Sequence, residues 1–212
     1  MNEGPILAVL DYGIGNLRSA QKALQHVGAR AELTADRRLI ERADGVVLPG
    51  VGAFGRCMEA LRDAGLEPAV REAVASGRPF LGICIGMQML FDASDEDVAA
   101  RGLGVIPGAI RWIPPGVKRP QMQWNRLVIH APDDPMFAAL GPSPWMYFVH
   151  SLHGVPVDAS VVVATCDYGG PLNAAFRLGN VFATQFHPEK SGTAGLQLLR
   201  NFTALAANVV SR

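Results

Sequence analysis

The chain has 212 residues, 49% hydrophobic and 18% charged, and its 19 basic side chains balance 19 acidic ones. Zero net charge argues against a non-specific nucleic-acid binder, which needs a basic excess, and no apolar run reaches the roughly 18 residues of a membrane span. The opening MNEGPILAVLDYG lacks a basic start and a long apolar stretch, and three cysteines (Cys57, Cys84, Cys166) suggest no disulfide framework, so the expectation is a soluble, cytoplasmic protein.

Ile6 to Leu10 is a short apolar run that stops at Asp11-Tyr12-Gly13. Leu17, Ala20, Leu24 and Val27 then recur at helical spacing up to Gly28, followed by short strands at Ala31 to Thr34 and Gly45 to Leu48. Apolar positions with helical spacing return from Phe54 to Ala75. Pro79 to Ile83 is a further buried strand, and Gly86 to Phe91 a short apolar helix after Cys84. Continuous apolar strands separated by helices predict a parallel sheet covered on both faces.

The second half offers strands at Ala109 to Ile113, Arg126 to His130, Trp145 to His150, Val161 to Cys166, Ala174 to Leu178 and Val181 to Gln185, with little helix between them. These predict antiparallel strands added to the parallel core. The Pro/Gly-rich stretch Ile113 to Pro120 reads as a loop, and a last helix carries Leu198, Phe202, Leu205 and Val209 on one stripe. The pattern predicts one α/β domain over residues 1–212, with a central, mostly parallel sheet flanked by helices.

Chemistry concentrates first in Leu81-Gly82-Ile83-Cys84-Ile85-Gly86-Met87-Gln88. Gly-x-Cys-x-Gly between a buried strand and a helix is the cysteine form of a nucleophile elbow, with glycines where a Cβ would clash. Cys84 then projects at the carboxyl end of the sheet above a helix N-terminus, which favours an anion, and the Ile85 N–H is placed to face an oxyanion. An inert cysteine packed between glycines is the alternative.

The base is sought among five histidines. In Gln185-Phe186-His187-Pro188-Glu189-Lys190-Ser191, Pro188 disfavours helix at His187, and an extended chain puts Glu189 on the same face as His187. A carboxylate there fixes the imidazole's tautomer; a surface turn is the alternative. His150 and His153 lack a nearby acid and read as loop histidines. Gly13-Ile14-Gly15 fails the dinucleotide fingerprint because Arg18 stands where its third glycine belongs. Asp92, Asp95, Glu96 and Asp97 lack calcium-loop spacing and read as a solvated loop, and the cysteines lack zinc spacing. No cofactor or metal is expected.

Together, Gly82 to Gln88 and Gln185 to Ser191 resemble the class I (triad) glutamine amidotransferases. Asp11-Tyr-Gly-Ile-Gly-Asn16, Pro49-Gly-Val-Gly-Ala-Phe54 and Tyr147-Phe-Val-His-Ser151 are similar to the glutaminase subunits of imidazole glycerol phosphate synthase, of histidine biosynthesis, and the likeness runs from about residue 6 to 200. It implies that Cys84 attacks the glutamine carboxamide to form a glutamyl thioester, that His187 shuttles protons and that Glu189 orients it. It further implies an oxyanion loop at Gly50, Val51 and Gly52, glutamine contacts at Gln88, His150 and Ser151, and a (β/α)8-barrel cyclase subunit as partner, docked on the rim that Asp11 to Asn16, Pro49 to Phe54 and Cys84 share. Asn16, Trp124, Tyr147 and Lys190 are the expected interface residues. Gln123 stands where the family has glycine, and Leu152 where it has an aromatic residue. A stand-alone cysteine hydrolase and a non-catalytic regulatory subunit remain the rival readings.

Overall fold

The computed structural model describes residues 4–15 and 17–210. In the first half β1 (Ile6–Leu10), β2 (Arg30–Thr34), β3 (Gly45–Gly50) and β4 (Phe80–Cys84) alternate with α1 (Leu17–His26), α2 (Arg37–Arg42), α3 (Phe54–Asp63) and α4 (Glu67–Ala75). A single helical turn, α5 (Ile85–Gln88), follows β4 directly. Beyond it come β5 (Ala93–Ser94), β6 (Asp97–Arg101), β7 (Gly108–Trp112), β8 (Gln121–Ile129), β9 (Trp145–His150), β10 (Leu152–Pro156), β11 (Val162–Asp167), β12 (Pro171–Leu178), β13 (Val181–Thr184) and the closing helix α6 (Gly192–Val210).

Every residue of β1, β3, β4 and β13 except Ile6 is buried, the signature of strands covered on both faces. They belong to a sheet ordered β2-β1-β3-β4-β13-β12-β11-β8-β9. The first five strands of that order are parallel and the remaining pairs antiparallel, so the helix-poor second half extends the parallel core on one side. Because β1, β3 and β4 are parallel neighbours, the residues after Leu10, Gly50 and Cys84 emerge along one edge. The chain runs from β1 outward to β2 and returns to β3 on the other side of β1, which makes this edge a topological switch point, where open α/β sheets hold ligands.

Four differences from the sequence expectation have local causes. The helical stretch from Phe54 to Ala75 is two helices: Gly65, at φ 67°, turns the chain in a left-handed conformation, its N–H bonding back to Arg62 and that of Leu66 to Leu61, and Pro68 opens α4. The helix expected from Gly86 to Phe91 is the one-turn α5, continued by i to i+3 bonds from Leu90 and Phe91. The acidic stretch at Asp92 to Asp97 is solvated as expected, with Asp92, Glu96 and Asp97 exposed, but it is built into a β-hairpin in which Asp95 and Glu96 form the turn between β5 and β6. With β7 and β10 it forms a second sheet, ordered β10-β7-β5-β6, whose β10 contacts β12 and whose β6 contacts α3. His150 and His153 accordingly lie on β9 and β10 and are not loop residues. Short α2, capped by the Asp36 carboxylate accepting from the Arg38 N–H at 2.9 Å, is an addition to the expected elements.

Candidate active site

Cys84 ends β4 at φ 55° and ψ −112°, a conformation a side chain adopts only under strain. Two close approaches hold it there. A Cβ on Gly86 would strike the Leu48 carbonyl oxygen, and one on Gly82 would lie 3.1 Å from the Met87 Cα, so the elbow is clamped against β3 on one side and α5 on the other. A Cβ on Gly50 would in turn lie 3.0 Å from the Gly86 nitrogen and 2.6 Å from the Tyr12 hydroxyl. Gly50, which opens the Gly50-Val51-Gly52 loop, thus packs backbone to backbone on the turn that carries the cysteine.

β13 lies beside β4 with Thr184 opposite Ile83, so the chain leaving β13 passes the end of β4. A backbone bond anchors the chain at this point: the His187 N–H donates to the Tyr147 carbonyl at 3.0 Å. His187 itself is extended, at φ −100° and ψ 96°, but Pro188 to Lys190 form one turn of 3-10 helix in place of the extended run that the sequence suggests. Proline is at home in the first turn of a helix. That turn swings Glu189 back, and its Oε1 lies 2.8 Å from His187 Nδ1.

Both members of this pair are buried, and His187 Nε2 and Glu189 Oε2 have no hydrogen-bond partner. Burial works to lower the His187 pKa, but the Cys84 sulfur and the Glu189 carboxylate outweigh it and push the value up to about 10. His187 thus holds a carboxylate on Nδ1, while its unpartnered Nε2 belongs to a side chain that lines the same cavity as Cys84. A second chain of contacts reaches the sulfur from behind. Gln185 Nε2 approaches Cys84 Sγ at 3.8 Å, and Gln88 Nε2 donates to Gln185 Oε1 at 3.1 Å, leaving the buried Gln88 Oε1 as an open acceptor.

A cavity of about 460 Å³ opens over Cys84, a volume suited to a small molecule. Cys84, Ile85, Gln88 and His187 line it together with Val51 and Gly52. His150, Ser151 and Leu152 also line it, with Glu96, Pro120, Val149 and Lys190. His150 is a wall of this cavity: its Nδ1 lies 2.7 Å from the Leu152 carbonyl oxygen and its Nε2 2.9 Å from the Gln121 carboxamide, and burial holds its pKa down at about 4. Leu152 is buried, and its carbonyl also accepts from Gln88 at 3.5 Å.

Trp124 and Tyr147, also expected at the site, fall outside the cavity. They are cross-strand partners on β8 and β9 with ring centroids 6.0 Å apart, and Trp124 is partly exposed. Gln123 is exposed opposite Phe148 and leaves the β8–β9 register intact. Asn16 lies outside the described residues.

Three groups at the site escape sequence reasoning. The sequence puts Glu96 in a charged loop, yet the hairpin turns it to the cavity, where its Oε2 accepts from the Phe54 N–H at 2.7 Å. Gln185 and Ser191 sit inside the histidine motif, but only the folded register shows what they touch. No spacing rule signals a contact between β4 and a residue about a hundred positions later.

The class-I glutamine amidotransferase family model matches residues 8–205. An imidazole glycerol phosphate synthase subunit HisH of Synechococcus elongatus is 48% identical over 210 residues, covering 98% of this chain and 96% of that protein. The subunit of the same name from Acinetobacter baylyi is 47% identical over 198 residues, covering 92% and 96% of the two chains. The crystal structure of a glutamine amidotransferase superposes with a TM-score of 0.74 at 25% identity, over 94% of this chain and 98% of that one. The chain belongs to the class-I glutamine amidotransferases and, within them, to the family of the imidazole glycerol phosphate synthase subunit HisH.

Proposed function

We propose that this amidotransferase hydrolyses glutamine to glutamate and ammonia through a Cys84–His187–Glu189 triad, and that it supplies the ammonia to a cyclase subunit in histidine biosynthesis. The observation that carries the reading is the meeting of two distant stretches: Cys84 on its strained turn and the buried His187–Glu189 pair, brought together by adjacent parallel strands.

The steps follow from the chemistry of the groups. His187 Nε2 takes the thiol proton, and the Cys84 sulfur adds to the glutamine carboxamide carbon as the C=O electron pair moves to oxygen. The Ile85 N–H and an N–H of the Gly50-Val51-Gly52 loop face that oxygen. Collapse of the adduct expels the nitrogen, which takes the proton from His187 and leaves as ammonia, and a glutamyl thioester remains. Water then attacks the thioester with His187 as base, and the thiol regains its proton as glutamate departs. Glu189 keeps Nδ1 protonated and stabilises the imidazolium between steps. Glu96 and the open Gln88 Oε1 supply acceptors for the substrate's α-ammonium group, and the cavity volume suits an amino acid.

Ammonia freed into neutral water is mostly protonated and no longer nucleophilic, so a synthetic enzyme needs its acceptor site sealed against this one. The same reading puts a (β/α)8-barrel cyclase subunit on the rim formed by the loops after β1, β3 and β4, with Lys190, Trp124 and Tyr147 beside it, in the cytoplasm. Among the described residues, no helix is long and apolar enough to cross a membrane. The test is Cys84→Ala in the reconstituted pair: glutamine-dependent synthesis is lost while ammonia-dependent synthesis by the partner survives. Loss of both assigns the cysteine a structural role and ends the reading.

A further inference from the structure

Two buried side chains outside the triad grip the loop beside the nucleophile. The Tyr12 hydroxyl, in the turn after β1, donates to the Pro49 carbonyl at 2.7 Å. The Cys57 thiol, in the first turn of α3, donates to the Val51 carbonyl at 3.5 Å, a weak bond made by a fully buried residue. Tyr12 is itself buried, and its hydroxyl is the atom that a Cβ on Gly50 would strike at 2.6 Å. The two carbonyls thus gripped flank Gly50, which packs on Ile85 and Gly86.

A trans peptide holds its N–H opposite its carbonyl. Fixing the Pro49 carbonyl on Tyr12 therefore fixes the direction of the Gly50 N–H, and fixing the Val51 carbonyl on Cys57 fixes that of the Gly52 N–H. We infer that Tyr12 and Cys57 are positioning residues that set the orientation of the Pro49–Gly50 and Val51–Gly52 peptides, and so the stabilisation of the oxyanion formed at Cys84, without touching substrate. The inference rests on the reading of this loop as half of an oxyanion site. Tyr12 and Cys57 are also in mutual contact, so the two grips form one unit and are expected to act together.

The test separates oxyanion formation from thiol reactivity. A chloromethyl ketone analogue of glutamine seats its ketone oxygen where the oxyanion forms at Cys84, whereas iodoacetamide alkylates the same sulfur by displacement without occupying the glutamine site. In the assembled synthase, Tyr12→Phe and Cys57→Ala each lower kcat for glutamine hydrolysis by roughly tenfold with KM unchanged, the scale of a small misplacement of catalytic groups. Both slow inactivation by the chloromethyl ketone by a similar factor and leave the iodoacetamide rate unaltered. Cys57→Ser, which restores a donor, recovers part of the loss, and a single cooperative unfolding transition of Tyr12→Phe, lowered by the lost bond but complete only well above the assay temperature, shows that the fold is intact. Equal slowing with both reagents, a rise in KM alone, or no change in kcat overturns the inference. If the wild-type chain is not labelled by the glutamine analogue at all, the amidotransferase reading fails instead; if it is labelled and the variants match it, only the grip fails.

Discussion

The Ser191 hydroxyl donates to the carbonyl of His187, four residues back, at 2.6 Å, and accepts from the Tyr147 N–H at 3.0 Å. One buried oxygen thereby ties the turn that carries the histidine to strand β9. Ser191→Ala leaves a buried donor and a buried acceptor with one partner fewer, a loss of roughly 1–3 kcal/mol. Urea unfolding is expected to show that loss. Turnover of glutamine falls by roughly tenfold as His187 moves relative to the sulfur. Full activity at reduced stability would mean that the turn keeps its shape without the bond.

The strained backbone of Cys84 makes a second, opposite prediction. At φ 55° a Cβ is unfavourable and glycine is not. Cys84→Gly is therefore expected to be more stable than Cys84→Ala by about 1 kcal/mol, less than the full strain of roughly 1–3 kcal/mol because glycine loses more entropy on folding. Both variants are inactive, so the comparison isolates the backbone. If the alanine variant is the more stable of the two in chemical denaturation, the elbow stores no strain.

The parallel core, the elbow and the histidine motif are legible because each is local: an apolar run, two glycines around a cysteine, a proline after a histidine. What stays hidden depends on contacts between distant residues. β5 and β6 have too few residues and too many charges to read as strands, and they exist because Ala93 and Ser94 pair with both Arg101 and Asp97 on one side and Ala109 and Ile110 on the other. Glu96 reaches the cavity only through that pairing. The adjacency of His187 and Glu189 follows from an extended chain in the sequence but arises through a helical turn in the fold, since i and i+2 can meet in more than one way. The grip of Tyr12 and Cys57 on the loop after β3 joins three elements and has no sequence signature.

The His187–Glu189 pair links stability to pH. His187 is raised from its ordinary value of 6.5 to about 10, so the native state holds this proton more tightly than the unfolded chain does. The stabilisation is complete below about pH 6.5 and is lost as pH rises through about 10. In Glu189→Gln the carboxylate charge is gone, the loss still begins near pH 6.5 but is smaller and is complete at lower pH, and turnover falls by roughly 10²–10⁴-fold because the imidazolium is no longer supported. Unfolding free energy measured at a series of pH values from 6 upward checks the first effect. Superimposable curves for wild type and Glu189→Gln would show that Cys84 alone holds the proton.

Glu96 tests the substrate assignment without disturbing the triad. Its Oε2 is engaged by the Phe54 N–H, and glutamine at this position can still accept that bond while removing the charge. Glu96→Gln is expected to raise KM for glutamine by roughly tenfold with kcat nearly unchanged, the pattern of a contact equally strong in ground and transition states. An unchanged KM would place the substrate's ammonium group elsewhere.

Lys190 stands at the mouth of the cavity, exposed, one residue after Glu189, and two roles are open to its ammonium: the carboxylate of glutamine or an acidic group on the docked cyclase. The partner role is the one expected here, and it makes a distinctive prediction. Lys190→Ala weakens subunit association several-fold in a titration, the deficit shrinks as salt is raised because exposed charges are screened, and KM for glutamine measured at saturating partner is unaltered. Unchanged association together with a raised KM would move Lys190 from the interface into the substrate site.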